Sequence, residues 1–122
     1  MNALKKIIHY FFIIAILGSI SINCNNQELQ QKLQSNIILP PQNQTIWEGE
    51  MVYFKGVASG GDPPYSYLWQ FGADISSSTQ QIPGEVVFNY EGAYSVKMIV
   101  KDSKGHVNTD IVLIIVKRKE AL

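Results

Sequence analysis

From residue 51 onward the chain alternates between apolar and polar positions. In "AYSVKMIVKD" (93–102), Tyr94, Val96, Met98 and Val100 fall on one side and Ser95, Lys97 and Lys101 on the other, the period of two that a half-buried strand requires. "MVYFKGVA" (51–58) sets Val52 and Phe54 against Tyr53 and Lys55, and "YSYLWQF" (65–71) sets Tyr67, Trp69 and Phe71 against Leu68 and Gln70. "VVFNY" (86–90) predicts a shorter strand. The last segment, "HVNTDIVLIIV" (106–116), starts polar and is continuously apolar from Ile111 to Val116, which predicts a strand covered on both sides near its end. None of these segments has helical spacing.

Turn residues separate the strands. "SGGDPP" (59–64) breaks the chain with two glycines and two prolines, and "DSKG" (102–105) is a tight turn in which Asp102 can bind backbone amides and Gly105 can take positive φ. A long polar connection, "GADISSSTQQIPGE", is expected to hold a short edge strand near residues 79–82. Six or seven short strands in about 80 residues, punctuated this regularly, predict an all-β domain folded as an antiparallel β-sandwich.

The first part of the chain follows other rules. Lys5 and Lys6 precede an apolar run from Ile7 to Leu17, and small or polar residues follow, the order of a secretory signal peptide over residues 1–23. The run is shorter than the roughly 20 apolar residues of a membrane-spanning helix. Cys24, the only cysteine, stands where the apolar run ends, so no internal disulfide can form. Its position resembles the lipobox of bacterial lipoproteins, with Ile20, Ser21, Ile22 and Asn23 in place of the usual upstream residues. The resemblance implies lipid attachment at Cys24 and a membrane partner through that lipid; the alternative is an ordinary cleaved signal with an incidental thiol. Residues 24–36, rich in Gln and Asn, are expected to form a flexible polar tether, with Pro40 and Pro41 marking entry to a folded domain over 37–118 and a tail at 119–122. The formal net charge is zero with both signs dispersed, which excludes a polyanion-gathering field and with it nucleic acid as a partner. The "KRK" at 117–119 is read as a solvated tail.

Two motifs sharpen the fold. "YLWQFG" supplies Trp69, Phe71 and Gly72, and "GAYSVKMIVKDSKG" supplies Gly92, Tyr94, Val96, Val100, Asp102 and Gly105. Together they resemble the PKD domain, the immunoglobulin-like module named after polycystic kidney disease proteins, over about residues 37–116. The resemblance implies that Trp69 crosses the core, that Tyr67, Trp69 and Phe71 face inward, and that Tyr94 forms a tyrosine corner. Gln70 and Ala73 depart from the family's acidic, glycine-rich turn, and Phe88, Asn89 and Tyr90 stand at its H-x-Y.

Candidate chemistry is sparse. His106 is the only histidine outside the signal segment, and it sits beside a turn with no cysteine and no obvious serine partner; nothing in the sequence fixes the base and third group that a nucleophilic triad needs. One histidine and one cysteine cannot fill a zinc site. Calcium needs only loop oxygens, and the inferred topology puts Asp62 and Asp102 at one end of the sandwich and Glu48, Glu50, Asp74 and Glu91 nearer the other; with Gln70 and Ala73 in place, these carboxylates are read as solvated loop residues and turn caps. "NQT" at Asn43 fits a glycosylation sequon. Trp47 and Tyr53 are expected to be exposed, available to a sugar or a protein. No enzyme and no cofactor are expected. The expectation is a noncatalytic PKD lipoprotein at the cell envelope, on the outer membrane or cell surface, serving as a protein-interaction or spacer module. The alternatives are a carbohydrate-binding accessory module and a secreted or signal-anchored adhesion domain.

Overall fold

The computed structural model describes residues 29–72 and 74–121, so the signal-peptide reading, Cys24 and Ala73 lie outside the described residues. The chain divides into two units, residues 1–30 and 31–122. Only Leu29 and Gln30 of the first unit are described, and neither belongs to regular structure.

The second unit is built from seven strands: β1 (Gln34–Leu39), β2 (Gln44–Trp47), β3 (Glu50–Ser59), β4 (Ser66–Gln70), β5 (Gly84–Phe88), β6 (Gly92–Lys101) and β7 (Val107–Lys117). They form a three-stranded sheet, β1-β3-β5, and a four-stranded sheet, β2-β7-β6-β4. All pairings are antiparallel except β2 with β7, which run parallel. The alternation seen in the sequence becomes two inner faces. Val52 and Phe54 of β3 and Phe88 of β5 meet Trp69 of β4, Val96, Met98 and Val100 of β6, and Val112, Ile114 and Val116 of β7. Each such side chain contributes roughly 1.5–3 kcal/mol when fully covered.

Aromatic rings occupy the middle of the core. Phe54 meets Trp69 edge-on at 5.7 Å and Phe71 edge-on at 5.1 Å, while Trp69 and Phe71 lie nearly parallel at 6.0 Å. This packing fills the space that a disulfide bridges in many immunoglobulin domains. The Trp69 indole N–H is buried with no acceptor among the described residues, so Trp69 is present for its volume rather than its polar atom.

Several boundaries differ from expectation. Leu33 is buried, Ser35 is buried and β1 begins at Gln34, so the fold starts inside the stretch read as tether. The reason lies on β7. The Asn108 side-chain oxygen accepts from the Ser35 N–H (2.9 Å) and from its hydroxyl (2.6 Å), and Asp110 Oδ2 accepts from the Ile37 N–H (2.6 Å). These are the polar residues with which β7 starts, and they close the edge of β1 that β3 leaves open. Pro40 and Pro41 consequently separate β1 from β2 instead of marking the entry to the domain.

The expected edge strand at 79–82 does not form. Ser78 instead makes a single two-way bridge with Trp69, through Trp69 N to Ser78 O (2.7 Å) and Ser78 N to Trp69 O (3.1 Å). Gln81 then bonds Gly56 of the other sheet, accepting from its N–H and donating through Nε2 to its carbonyl, both at 3.1 Å. The connection therefore crosses the open side of the sandwich in place of extending either sheet. Nor is Arg118 part of a solvated tail: its guanidinium reaches Glu91 at 2.6 Å and Glu48 at 4.0 Å.

β7 also departs from its prediction. Val112, Ile114 and Val116 are buried, but Ile111 is 54% exposed and Leu113 37%, so the outward side of the apolar run is uncovered.

Candidate functional site

The β6–β7 turn carries the densest polar cluster. Asp102 follows Val96, Met98 and Val100 at even spacing, so its carboxylate enters the end of the core row and is buried. Four donors meet it there. Oδ1 accepts from the backbone N–H groups of Lys104 (3.0 Å) and His106 (2.8 Å), and Oδ2 accepts from the Asp62 N–H (3.1 Å) and lies 2.9 Å from His106 Nδ1. Burial pushes the carboxyl pKa up, but the bonds from the His106 ring and from the Asp62 and His106 amides outweigh it and hold the value down at about 2.

The same contacts tie two loops together. Ser103 N–H donates to the Asp62 carbonyl (2.8 Å), Lys104 Nζ lies 3.3 Å from Asp62 Oδ1, and the Tyr65 hydroxyl donates to the Gly60 carbonyl (2.7 Å). Gly105, at φ 86°, closes the turn in a conformation that costs other residues energy. Asp62, Asp102 and His106 present ligand atoms within 4.8 Å of one another. Chemically, however, this is a hydrogen-bonded corner: an ion at Asp102 would have to displace amide donors that have no other buried acceptor, and calcium asks for six to eight oxygens.

The opposite end gathers other carboxylates. Glu48 accepts from the Glu91 N–H (3.2 Å), and Glu50 accepts from the Trp47 N–H (2.9 Å). Tyr94 donates its hydroxyl to the Tyr90 carbonyl (2.9 Å), the bond that defines a tyrosine corner. Gly72 lies against that ring, where an added Cβ would come within 2.9 Å of Tyr94 Cδ1. Gly92 opens β6. Asp74 is exposed, and the Asn43 side-chain oxygen accepts from the Leu113 N–H (2.8 Å), fastening β2 to β7.

A recess of about 450 Å3 lies where the loop after Phe71 borders the outer face of β4 and β6. Gln70, Ser77, Ser95 and Lys97 supply its polar lining, and Phe71, Gly72 and Ile75 the rest. Trp47 and Tyr53 are 46% and 48% exposed, on strands of different sheets, so they form no common platform. The sequence did not single out Asn108, Asp110 or Arg118. The signal was present for the first two, which interrupt the inward register of β7 with polar side chains.

A two-sheet sandwich with a buried tryptophan, a tyrosine corner and a hydrogen-bonded aspartate turn defines an immunoglobulin-like module. The sequence profile of the PKD domain matches residues 37–116, and the chain belongs to that family. Among solved structures, it is similar to the PKD1 domain of Vibrio anguillarum Epp at 25% identity and a TM-score of 0.56, over 74% of this chain and 99% of that one. Fibronectin(III)-like modules of Clostridium thermocellum CbhA match at 20% identity and a TM-score of 0.58, over 70% of this chain. A structure described as a promiscuous carbohydrate-binding module of the β-sandwich superfamily matches at 24% and 0.58, over 75%. The chain spans about half, 47%, of the CbhA structure and 36% of the carbohydrate-binding one, so these two likenesses concern the fold. No curated protein matches the chain.

Proposed function

We propose that the chain is a noncatalytic interaction or spacer module of the cell envelope, tethered through lipid on Cys24. Domains of this family are in general noncatalytic modules. The observation that carries the reading is the use made of the cluster of catalytic-type residues found among the described residues. Asp102 and His106 hold each other and the Asp62 loop, leaving the carboxylate saturated and near pKa 2, far from the value a general base needs at neutral pH. The anchoring rests on the order of the first 24 residues, Lys5 and Lys6, then an apolar run, then Cys24. Two or three acyl chains make attachment effectively permanent, at about 0.8 kcal/mol per buried methylene. The carbohydrate reading has less support, because Trp47 and Tyr53 stand on different sheets.

Mass spectrometry of the mature N-terminus together with detergent-phase partitioning tests the anchoring: an acylated Cys24 in the detergent phase is expected, and a freely soluble chain without acyl mass would refute it. A glycan array without signal is expected from the domain.

A further inference from the structure

Among the described residues, the outward face of the four-stranded sheet carries no acidic residue. Its register sets Gln70, Lys97 and Ile111 in one row across β4, β6 and β7, and Leu68, Ile99 and Thr109 in the next. Lys101 pairs with Val107 on one side of these rows, and Ser95 pairs with Leu113 on the other. At the far end Trp47 of β2 lies beside Lys117. Among the described residues, Lys97, Lys101 and Lys117 have no ion-pair partner, whereas Lys104 and Arg118, off this face, both do. Six described acids are engaged elsewhere: Asp62 and Asp102 at the β6–β7 turn, Asp110 with the Ile37 N–H of β1, Glu50 with the Trp47 N–H, and Glu48 and Glu91 with Arg118.

Apolar exposure coincides with this unpaired positive charge. Val107 and Ile111 are more than half exposed and Leu113 is 37% exposed, the last two within a run whose sequence pattern calls for cover on both sides. We infer that this face docks a protein segment carrying carboxylates beside apolar side chains, with an acidic side chain entering the recess at Lys97 and apolar ones lying on Ile111 and Leu113. The inference rests on the interaction-module reading. Charge complementarity selects the occupant. A second copy of the same face would set lysines against lysines with no acid between them, and like charges so placed oppose association. A bilayer is the weaker fit because the apolar side chains stand on a sheet face beside a recess instead of on a protruding wedge. Asp74 belongs to the loop bordering the recess but not to its lining, which leaves Lys97 as its charged group.

The test pans a displayed random-peptide library on the full-length chain in neutral detergent, with Tyr53→Thr, on the other sheet, as control. Enriched peptides are expected to carry Asp or Glu next to Leu, Val or Phe. Their affinity should fall roughly tenfold with Lys97→Glu or Ile111→Thr and stay unchanged with Tyr53→Thr. Both substituted positions are exposed, and unchanged melting confirms that the fold is kept. Binders indifferent to both substitutions would overturn the assignment to this face while leaving an interaction role standing; no enriched binder at all would remove both. Concentration-dependent self-association through Ile111, or binding only to vesicles containing an anionic lipid, would each overturn the choice of occupant.

Discussion

The β6–β7 hairpin has two sides with opposite economies of charge. On its inner side and at its turn, Asp102 receives four donors, and Asn108 and Asp110 serve the backbone of β1. On its outer side, Lys97 and Lys101 stand unpaired among Ile99, Ile111 and Leu113. A saturated polar group is held in place by the fold and has little left to offer a ligand. An unpaired charge beside exposed apolar surface retains its capacity to bind. On the reading proposed here, the difference separates the residues that make this domain from those that bind its partner.

Substitutions on the inner side should act on stability. Trp69→Ala empties the middle of the aromatic core and is expected to cost roughly 3–5 kcal/mol, read as a lower denaturant midpoint or as failure to fold. Trp69→Phe should cost much less, since the indole N–H has no acceptor to lose. Asp102→Asn removes the charge that the turn amides and the His106 ring solvate, and should lower the melting temperature at neutral pH. Its pH signature is specific. The folded-state pKa of Asp102 is depressed to about 2, so its contribution is complete above its ordinary value of 3.8 and is lost as the pH falls through about 2. The difference in melting temperature between wild type and Asp102→Asn should therefore shrink across that acid interval.

Asp110→Ala comes next. It leaves the Ile37 N–H without its acceptor at the edge of β1, at a cost of roughly 1–2 kcal/mol, and the Ile37 amide should exchange faster with solvent. The smallest effect is expected on the outer side, where Ile111→Thr should change stability by no more than about 0.5 kcal/mol. A large loss there would mean that the exposed apolar face supports the fold after all.

Much of this was legible in the sequence. Period-two alternation in 93–101 and the tryptophan strand required nothing beyond local pattern, because each residue's burial follows from its parity. β1 and β2 were not legible. Their residues are largely polar or flanked by proline, and the groups that hold them, the Asn108 and Asp110 side chains for β1 and the Leu113 N–H that donates to Asn43 for β2, lie about 70 residues away along the chain. A side chain's hydrogen-bond partner at that separation leaves no periodic trace. The run from Ile111 to Val116 showed that cover was wanted on both faces, and the structure shows that the described residues supply it on only one. In the candidate site, the pairing of Asp62 with Asp102 followed from topology, whereas the recess at Lys97 depends on how the 71–83 connection crosses the sandwich.

The most direct test compares Lys97→Glu/Ile111→Thr with Asp102→Asn, measuring melting temperature and affinity for an enriched acidic peptide in each. The first variant should melt as wild type does and lose binding. The second should melt lower yet bind normally wherever it remains folded. If binding instead followed melting in both variants, the face and the fold would be one system, and the separation proposed here would be wrong.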